Sequence, residues 1–238
     1  DMEAAETPKI QGNLDTNFLK LIAVAAMAID HTGAIFFPDI DIFRIIGRLA
    51  FPLFTYCLVI GCLYTRDIGK YVLRFGLFAL ISQPFYLLAH HPFDFMQNFW
   101  DNLFVLNIFF TLLVGVITVW GLKEKNWLLF ALGILTACFV NIDYGINGIC
   151  LMVIFYLCRN KRWLSALLAA VWLIPSLFFG MPDTTLFGLR FDRQGLSALA
   201  LPLIFVRTSF HPKIHKWFFY LFYPGHFLVL YLMQLFIQ

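Results

Sequence analysis

The chain has 238 residues, of which 61% are hydrophobic and 13% are charged, and its formal net charge is +3. Soluble domains are about half apolar and about a quarter charged, so this composition excludes an ordinary soluble globular domain. The basic residues are spread over short segments between apolar stretches, which argues against a nucleic-acid-binding surface.

Apolar segments long enough to suggest membrane helices follow one another along the chain. A bilayer core about 30 Å thick requires about 20 residues of α-helix. The predicted spans are 18–38, 45–64, 71–90, 102–121, 126–141, 144–158, 162–180, 195–207 and 216–236. The fifth, sixth and eighth are short for a complete crossing. The sequence therefore predicts an all-α fold, a polytopic integral membrane helical bundle of about nine transmembrane helices. Residues 18–238 form a single domain behind a polar tail of residues 1–17.

The distribution of positive charge predicts the orientation of this bundle. If the connecting segments alternate between two faces, 13 of the 17 Lys and Arg residues fall on one face and 4 on the other. Cytoplasmic loops carry an excess of Lys and Arg, so we expect the N-terminus in the cytoplasm and the C-terminus outside. The tail lacks a basic region followed by a short apolar core and a small-residue cleavage site, so a cleaved signal peptide is not expected.

Two ionisable residues, Asp30 and His31, lie side by side in the outer half of the first span. Such residues cost several kcal/mol or more in a bilayer, and they usually face a protein interior or a wet cavity. Adjacent residues on a helix point about 100° apart, so Asp30 is poorly placed to orient His31. We expect Asp30 to pair instead with Arg48 or Arg44 at the start of the second span. The alternative for His31 is a structural contact between helices.

Further polar residues occur in or beside apolar spans. Arg48 could neutralise Asp30, hold an acceptor carboxylate or stabilise an oxyanion, or it could be an interfacial residue whose head reaches water. Asp143 and Tyr144 lie at an outer edge, and His226 follows a Pro-Gly pair in the last span. Asn107, Asp143, Tyr144 and His226 are candidates for substrate binding. Asn107 could equally be a hydrogen-bonded contact between helices.

Sequence motifs of several common enzyme classes are absent from the chain. It has no GxSxG, no P-loop, no HExxH and no dinucleotide-binding glycine pattern. Its histidines and cysteines show no paired metal-ligand spacing, so no metal is predicted.

Several segments together resemble the TraX family, named for the F-pilin acetylation protein. The resemblance rests on IDHTG at 29–33 and GRLAFPLF at 47–54, and it continues in DYG at 143–145 and FYPGH at 222–226. It extends over most of the chain, from about residue 18 to about residue 232. The first two segments in tandem are specific, whereas either one alone would be weak.

Membership of this family implies a membrane-embedded acetyltransferase that takes acetyl from cytoplasmic acetyl-coenzyme A. Carried over to this chain, His31 would be the catalytic base, with Asp30 and Arg48 beside it; a covalent acetyl-imidazole is the alternative. The acceptor would be an amine or hydroxyl at the outer face, on a pilin N-terminus or an envelope glycan. The implied location is the bacterial cytoplasmic membrane, and the oligomeric state is not predicted.

Two other classes of function fit part of the same pattern. A proton-coupled transporter would also carry intramembrane Asp, His and Arg and Pro-Gly breaks. An odd number of spans and the lack of repeated halves argue against it. A non-catalytic scaffold for membrane assembly would not need a buried ionisable pair.

Overall fold

The computed structural model describes residues 9–92, 104–186 and 188–237. Most of this part of the chain is α-helical. The longer helices are α1 (Thr16–Phe36), α2 (Asp41–Gly47), α3 (Ala50–Tyr64), α4 (Ile68–His90), α5 (Ile108–Lys123), α6 (Trp127–Phe139), α7 (Gly145–Leu157) and α8 (Arg162–Leu173). They are followed by α9 (Ser176–Phe179), a 3₁₀ helix (Arg193–Ala200), α10 (Leu201–Phe205) and α11 (Lys216–Ile237). One antiparallel hairpin, β1 (Thr184–Leu186) and β2 (Leu189–Phe191), departs from the predicted all-α class.

Polar residues between the apolar stretches fix where helices begin. The side chains of Asp15, Asp67, Asn107 and Asn126 accept hydrogen bonds from backbone N–H groups in the first turns of α1, α4, α5 and α6. These N–H groups have no partner within a helix, so an Asp or Asn cap stabilises the helix by about 1 kcal/mol. The loop residues therefore determine the starting points of the apolar helices.

Five helical stretches in the described residues are long and apolar enough to cross a membrane. They are Thr16–Phe36, Asp41–Tyr64, Ile68–His90, Arg162–Phe179 and Lys216–Ile237. Shorter apolar helices occupy the predicted fourth, fifth and sixth spans, although residues 102 and 103 of the fourth lie outside the described residues. Large apolar side chains such as Phe139, Trp163 and Phe236 point outward. An apolar exterior of this kind suits lipid, so the chain is a membrane protein.

The predicted eighth span, 195–207, differs from a regular α-helix. It consists of the 3₁₀ helix followed by the five residues of α10, and the helix ends before Val206. With about 2.0 Å per residue in a 3₁₀ helix and about 1.5 Å in an α-helix, its combined rise is about 24 Å, less than the bilayer core. The number of nine spans and the orientation of both termini stay predictions.

The helices that carry the candidate residues pack together. The helix α1 lies against α2, α3 and α11, and α4 lies against α5 and α11. Gly47 at the end of α2 faces Asp30 of α1, and a Cβ at this position would collide with the Asp30 carboxylate. This close approach brings the polar ends of α1 and α2 into contact.

The described part of the predicted polar tail is attached to this bundle. Ile10 and Asn13 are buried, and the backbone N–H of Asn13 donates to Ile204 O at 2.8 Å. The Asn13 amide also donates to Leu203 O at 3.1 Å. Residues 9–15 therefore pack against α10, while residues 1–8 of the predicted tail lie outside the described residues.

Candidate functional site

A buried carboxylate and two guanidinium groups form the charged part of the site. Asp30 Oδ2 lies 2.9 Å from Arg44 Nη1 and 3.1 Å from Arg48 Nη2. The Arg48 Nη2 also donates to Asp30 Oδ1 at 3.2 Å, so this guanidinium is hydrogen-bonded to both carboxylate oxygens. The predicted pairing of Asp30 is confirmed, and it involves both candidate arginines. Since breaking such a buried group would leave a charge uncompensated, the cluster fixes α1 against α2.

The 3₁₀ helix holds Arg48 from the other side. Gln194 Oε1 accepts from Arg48 Nη1 at 3.2 Å. The neighbouring Arg193 binds Asp183 at 2.6 Å and lies 3.6 Å from Asp41 at the start of α2. Although partial burial acts to raise the pKa of Asp183, hydrogen bonds from Arg193 lower it below its ordinary value. These contacts tie the hairpin and the 3₁₀ helix to α2 and place Gln194 beside the ion-pair cluster.

The two intramembrane histidines contact each other. Nδ1 of His31 lies 2.7 Å from Nε2 of His226, and Nδ1 of His226 lies 3.1 Å from the carbonyl oxygen of Phe222. A carbonyl oxygen can only accept, so Nδ1 of His226 carries hydrogen. With both rings neutral, Nε2 of His226 then accepts from Nδ1–H of His31. This arrangement leaves the lone pair of His31 on Nε2, the atom that a general base needs.

A cavity of about 230 Å³, here named the histidine cavity, brings most of the predicted residues together. Its walls include Asp30, His31, Arg48, Asp143 and Tyr144. His226 touches the site through His31. Arg44, the second predicted partner of Asp30, also lines the cavity. Three further side chains in the walls are not predicted as site residues from the sequence: Tyr86, His90 and Tyr223.

His90 is the clearest residue missed from the sequence. It ends α4 beside a loop, a position typical of a solvated surface histidine. In the structure its ring centroid lies 6.2 Å from that of His31, although His90 stays exposed on its other side. Its Nδ1 lies 2.9 Å from Tyr86 O one helical turn earlier. The only signal in the sequence is this i, i+4 spacing of Tyr86 and His90, which places both side chains on one face of α4.

Asp143 and Tyr144 reach the cavity because of an unusual turn before α7. Tyr144 has φ 60° and Gly145 has φ 45°, so two successive residues adopt left-handed backbone conformations. Such a conformation costs a non-glycine residue about 1–2 kcal/mol. The Tyr144 ring stacks on Phe51 with centroids 3.7 Å apart, and Thr111 Oγ1 donates to Asp143 O at 2.6 Å. These contacts hold the strained turn against α3 and α5.

Asn107 does not reach the histidine cavity. Its side-chain oxygen caps α5, and its Nδ2 donates to Ala79 O at 2.8 Å and to Gln83 Oε1 at 2.7 Å. The residue is 1% exposed. Because its polar atoms are already used between α4 and α5, the predicted role of Asn107 in substrate binding has no support from this placement.

Two further cavities adjoin the histidine cavity. The polar recess, about 300 Å³, shares Arg48, Phe51, Asp143 and Tyr144 with it. The remainder of its polar lining comes from Asn147, Ser176 and Gln194, next to Trp172. The aromatic cavity, about 240 Å³, shares Met27, Phe54, Ile108 and Tyr223 with the histidine cavity. His31 therefore lies between a polar recess and a largely apolar pocket. In the described residues, no group of three His, Cys, Asp or Glu side chains could hold a metal ion.

Comparison of the sequence with known proteins places the chain in a family. The family model described as TraX protein matches residues 15–234. The chain is 30% identical to "Probable fimbrial assembly protein FimC, serogroup H1" of Dichelobacter nodosus, over 92% of this chain and 96% of the relative. It is 50% identical over 40 residues to "Uncharacterized protein RP591" of Rickettsia prowazekii (strain Madrid E), which covers 17% of this chain and 16% of that protein. No solved structure matches the chain significantly.

Proposed function

Since the chain belongs to the TraX family, we propose that it is a membrane acetyltransferase that uses His31 as its general base. One observation carries this proposal. Nδ1 of His31 lies 2.7 Å from Nε2 of His226, and His31 lines a cavity that adjoins a largely apolar pocket and a polar recess. With both rings neutral, this contact leaves the lone pair of His31 on Nε2. A base between two separate compartments suits a transfer whose donor and acceptor approach from different directions.

The donor is proposed to be acetyl-coenzyme A, with its thioester beside His31. The lone pair of an acceptor amine or hydroxyl forms a bond to the thioester carbonyl carbon while its proton moves to Nε2 of His31. The carbonyl oxygen gains negative charge, which a cavity-facing N–H of Arg48 stabilises. Collapse of this intermediate breaks the carbon–sulfur bond, and the departing thiolate takes the proton from His31. The products are the acetylated acceptor and free coenzyme A.

The acceptor is proposed to enter through the polar recess. Asp143, Asn147, Ser176 and Gln194 offer hydrogen-bonding groups there to a polar molecule. The name of the Dichelobacter nodosus relative refers to fimbrial assembly, which favours a pilus subunit as the acceptor. An envelope glycan is the alternative acceptor. A chemical acceptor with an amine or hydroxyl fits both, and the predicted topology would place the recess on the outer face of the bacterial cytoplasmic membrane.

The proposal is tested with purified protein in lipid nanodiscs. Acetyl-labelled acetyl-coenzyme A and bacterial envelope extract are supplied, and free coenzyme A and labelled products are measured by mass spectrometry. His31→Ala is expected to lower turnover at least about a hundredfold, because positioned acid–base catalysis contributes about 10²–10⁴. His215→Ala, an exposed histidine in the loop before α11, is the matched control and should retain wild-type turnover. Full activity of a folded His31→Ala protein would overturn the proposal.

The same purified protein, reconstituted into sealed liposomes as well as nanodiscs, separates the competing classes. A transporter would carry substrate across liposome membranes without acetyl-coenzyme A, and a scaffold would show neither flux nor turnover. A rise in thermal stability on adding coenzyme A favours the enzyme, since a ligand that binds only the folded state stabilises it.

A further inference from the structure

Three cations from three different helices line the aromatic cavity. They are Lys20 of α1, Arg74 of α4 and Lys216 at the start of α11. Within the described residues none of them forms an ion pair with a carboxylate. The Nε atom of Arg74 is buried and has no hydrogen-bond partner. A set of converging positive charges with an unused buried donor is a site prepared for an anion.

Aromatic rings hold these cations in place without neutralising them. The Lys20 ammonium lies 5.4 Å from the centroid of Phe219, and the Arg74 guanidinium lies 5.6 Å from that of Tyr71. The Lys216 ammonium lies 5.9 Å from the ring centroid of Trp217. Such contacts are weak at exposed sites, so they position a charge while leaving it able to bind an anion.

The distance from these cations to the histidine pair matches the length of the pantetheine arm of coenzyme A. His31 follows Lys20 by eleven residues on α1, about 16 Å along the helix axis, and His226 follows Lys216 by ten residues on α11, about 15 Å. In the donor, about thirteen bonds of the pantetheine arm separate phosphorus from the thioester sulfur. At the about 1.2 Å per bond of an extended peptide backbone, that arm spans about 16 Å.

The lining of the aromatic cavity connects the three cations with the histidine pair and leaves room for the pantetheine arm between them. The aromatic cavity is lined mainly by apolar and aromatic side chains such as Phe75, Phe109 and Leu112, and its base at Met27 and Tyr223 is also the wall of the histidine cavity. An anion held at the cations would therefore direct the flexible pantetheine arm toward His31.

We infer that Lys20, Arg74 and Lys216 bind the pyrophosphate of a coenzyme A thioester whose pantetheine arm lies in the aromatic cavity. This inference rests on the proposed function for the identity of the donor. The same phosphate chemistry occurs in anionic lipid headgroups, so the test must separate the two sources.

The test compares a donor that has phosphates with one that has none. The kcat/KM is measured for acetyl-coenzyme A and for S-acetylpantetheine with the wild type and with the triple variant Lys20→Gln, Arg74→Gln, Lys216→Gln. A hydrogen bond to a charged group is stronger than one between neutral groups, so each lost cation should lower kcat/KM for acetyl-coenzyme A about tenfold, and the triple variant about a thousandfold. The decrease in kcat/KM should come from a higher KM for acetyl-coenzyme A. The kcat/KM for S-acetylpantetheine should be the same for the wild type and the triple variant. Lys213 is an exposed lysine outside the cavity lining, so Lys213→Ala is the control and should change kcat/KM for neither donor.

Direct binding keeps this inference separate from the proposed function. Binding of coenzyme A and of pantetheine is measured by calorimetry in nanodiscs of neutral lipid and of lipid with added phosphatidylglycerol. Tight binding of coenzyme A that the triple variant loses supports the cation site even if no acetyl transfer is found. An unchanged KM and unchanged binding of coenzyme A in the folded variant would overturn the inference. An effect of the variant that depends only on phosphatidylglycerol would overturn it as well and assign the cations to a lipid headgroup.

Discussion

Replacement of His226 tests the arrangement of protons in the histidine pair. His226 accepts from Nδ1–H of His31 at 2.7 Å, and this hydrogen bond keeps the lone pair of His31 on Nε2. In His226→Leu, the N–H of His31 loses its acceptor inside the protein. Leaving a buried donor unsatisfied costs about 1–3 kcal/mol. The variant thus destabilises the tautomer of His31 that carries hydrogen on Nδ1 and the lone pair on Nε2. Turnover should drop about tenfold to a hundredfold, because each 1.36 kcal/mol is a factor of ten in rate.

The assay follows kcat and KM for acetyl-coenzyme A in nanodiscs. We expect kcat to fall while KM stays unchanged, because His226 contacts the proposed base His31 and does not line the aromatic cavity. His226→Gln keeps an acceptor oxygen near the position of Nε2 and should recover most of the activity. The reasoning would be wrong if His226→Leu kept its full kcat, or if Gln and Leu lowered kcat equally in folded proteins.

Four further substitutions, with Gly225→Ala as a control for one of them, test the ion-pair cluster. Arg48→Lys should lower kcat at least about tenfold in the turnover assay, because an ammonium cannot reproduce the planar guanidinium; wild-type kcat would make Arg48 a structural residue only. Asp30→Asn should lower the free energy of unfolding by about 3–5 kcal/mol, since it leaves two cations without a carboxylate. Adding Arg44→Gln to Asp30→Asn should recover part of the lost free energy of unfolding, measured by denaturant titration. A double variant that is less stable than Asp30→Asn alone would contradict the pairing of Arg44 with Asp30. Gly47→Ala should destabilise the protein by about 1–3 kcal/mol because its methyl group collides with Asp30, whereas Gly225→Ala, with open space around its Cβ, should not. Equal unfolding midpoints for the two alanine variants would refute the close approach.

The charged part of the site could be predicted from the sequence because its geometry is local. Asp30 and His31 are adjacent on a helix and point in different directions, so Asp30 needs a partner other than His31. The next span begins with Arg44 and Arg48, four residues apart and thus on one helical face. Both arginines do bind Asp30.

The rest of the site depends on contacts between segments far apart in the sequence, which the periodicity of a single helix does not predict. Gln194 reaches Arg48 because the segment after the hairpin winds as a 3₁₀ helix, whereas the hydropathy pattern indicated an apolar membrane span. His90 reaches His31 only through the packing of α4 near α1 and α11. Asn107 carries a local signal of its structural role, since an Asn directly before an apolar run is typical of a helix N-cap.

In the proposed function, an acetyl group passes His31 from a donor on one side of the membrane to an acceptor on the other. The direct measurement uses sealed proteoliposomes of one protein orientation, with labelled acetyl-coenzyme A inside and envelope peptides and glycans outside. Labelled acetyl should appear on an outside amine or hydroxyl with the wild type and be absent with His31→Ala. Equal labelling by both proteins, or labelling of acceptors only when donor and acceptor share one compartment, would contradict the account.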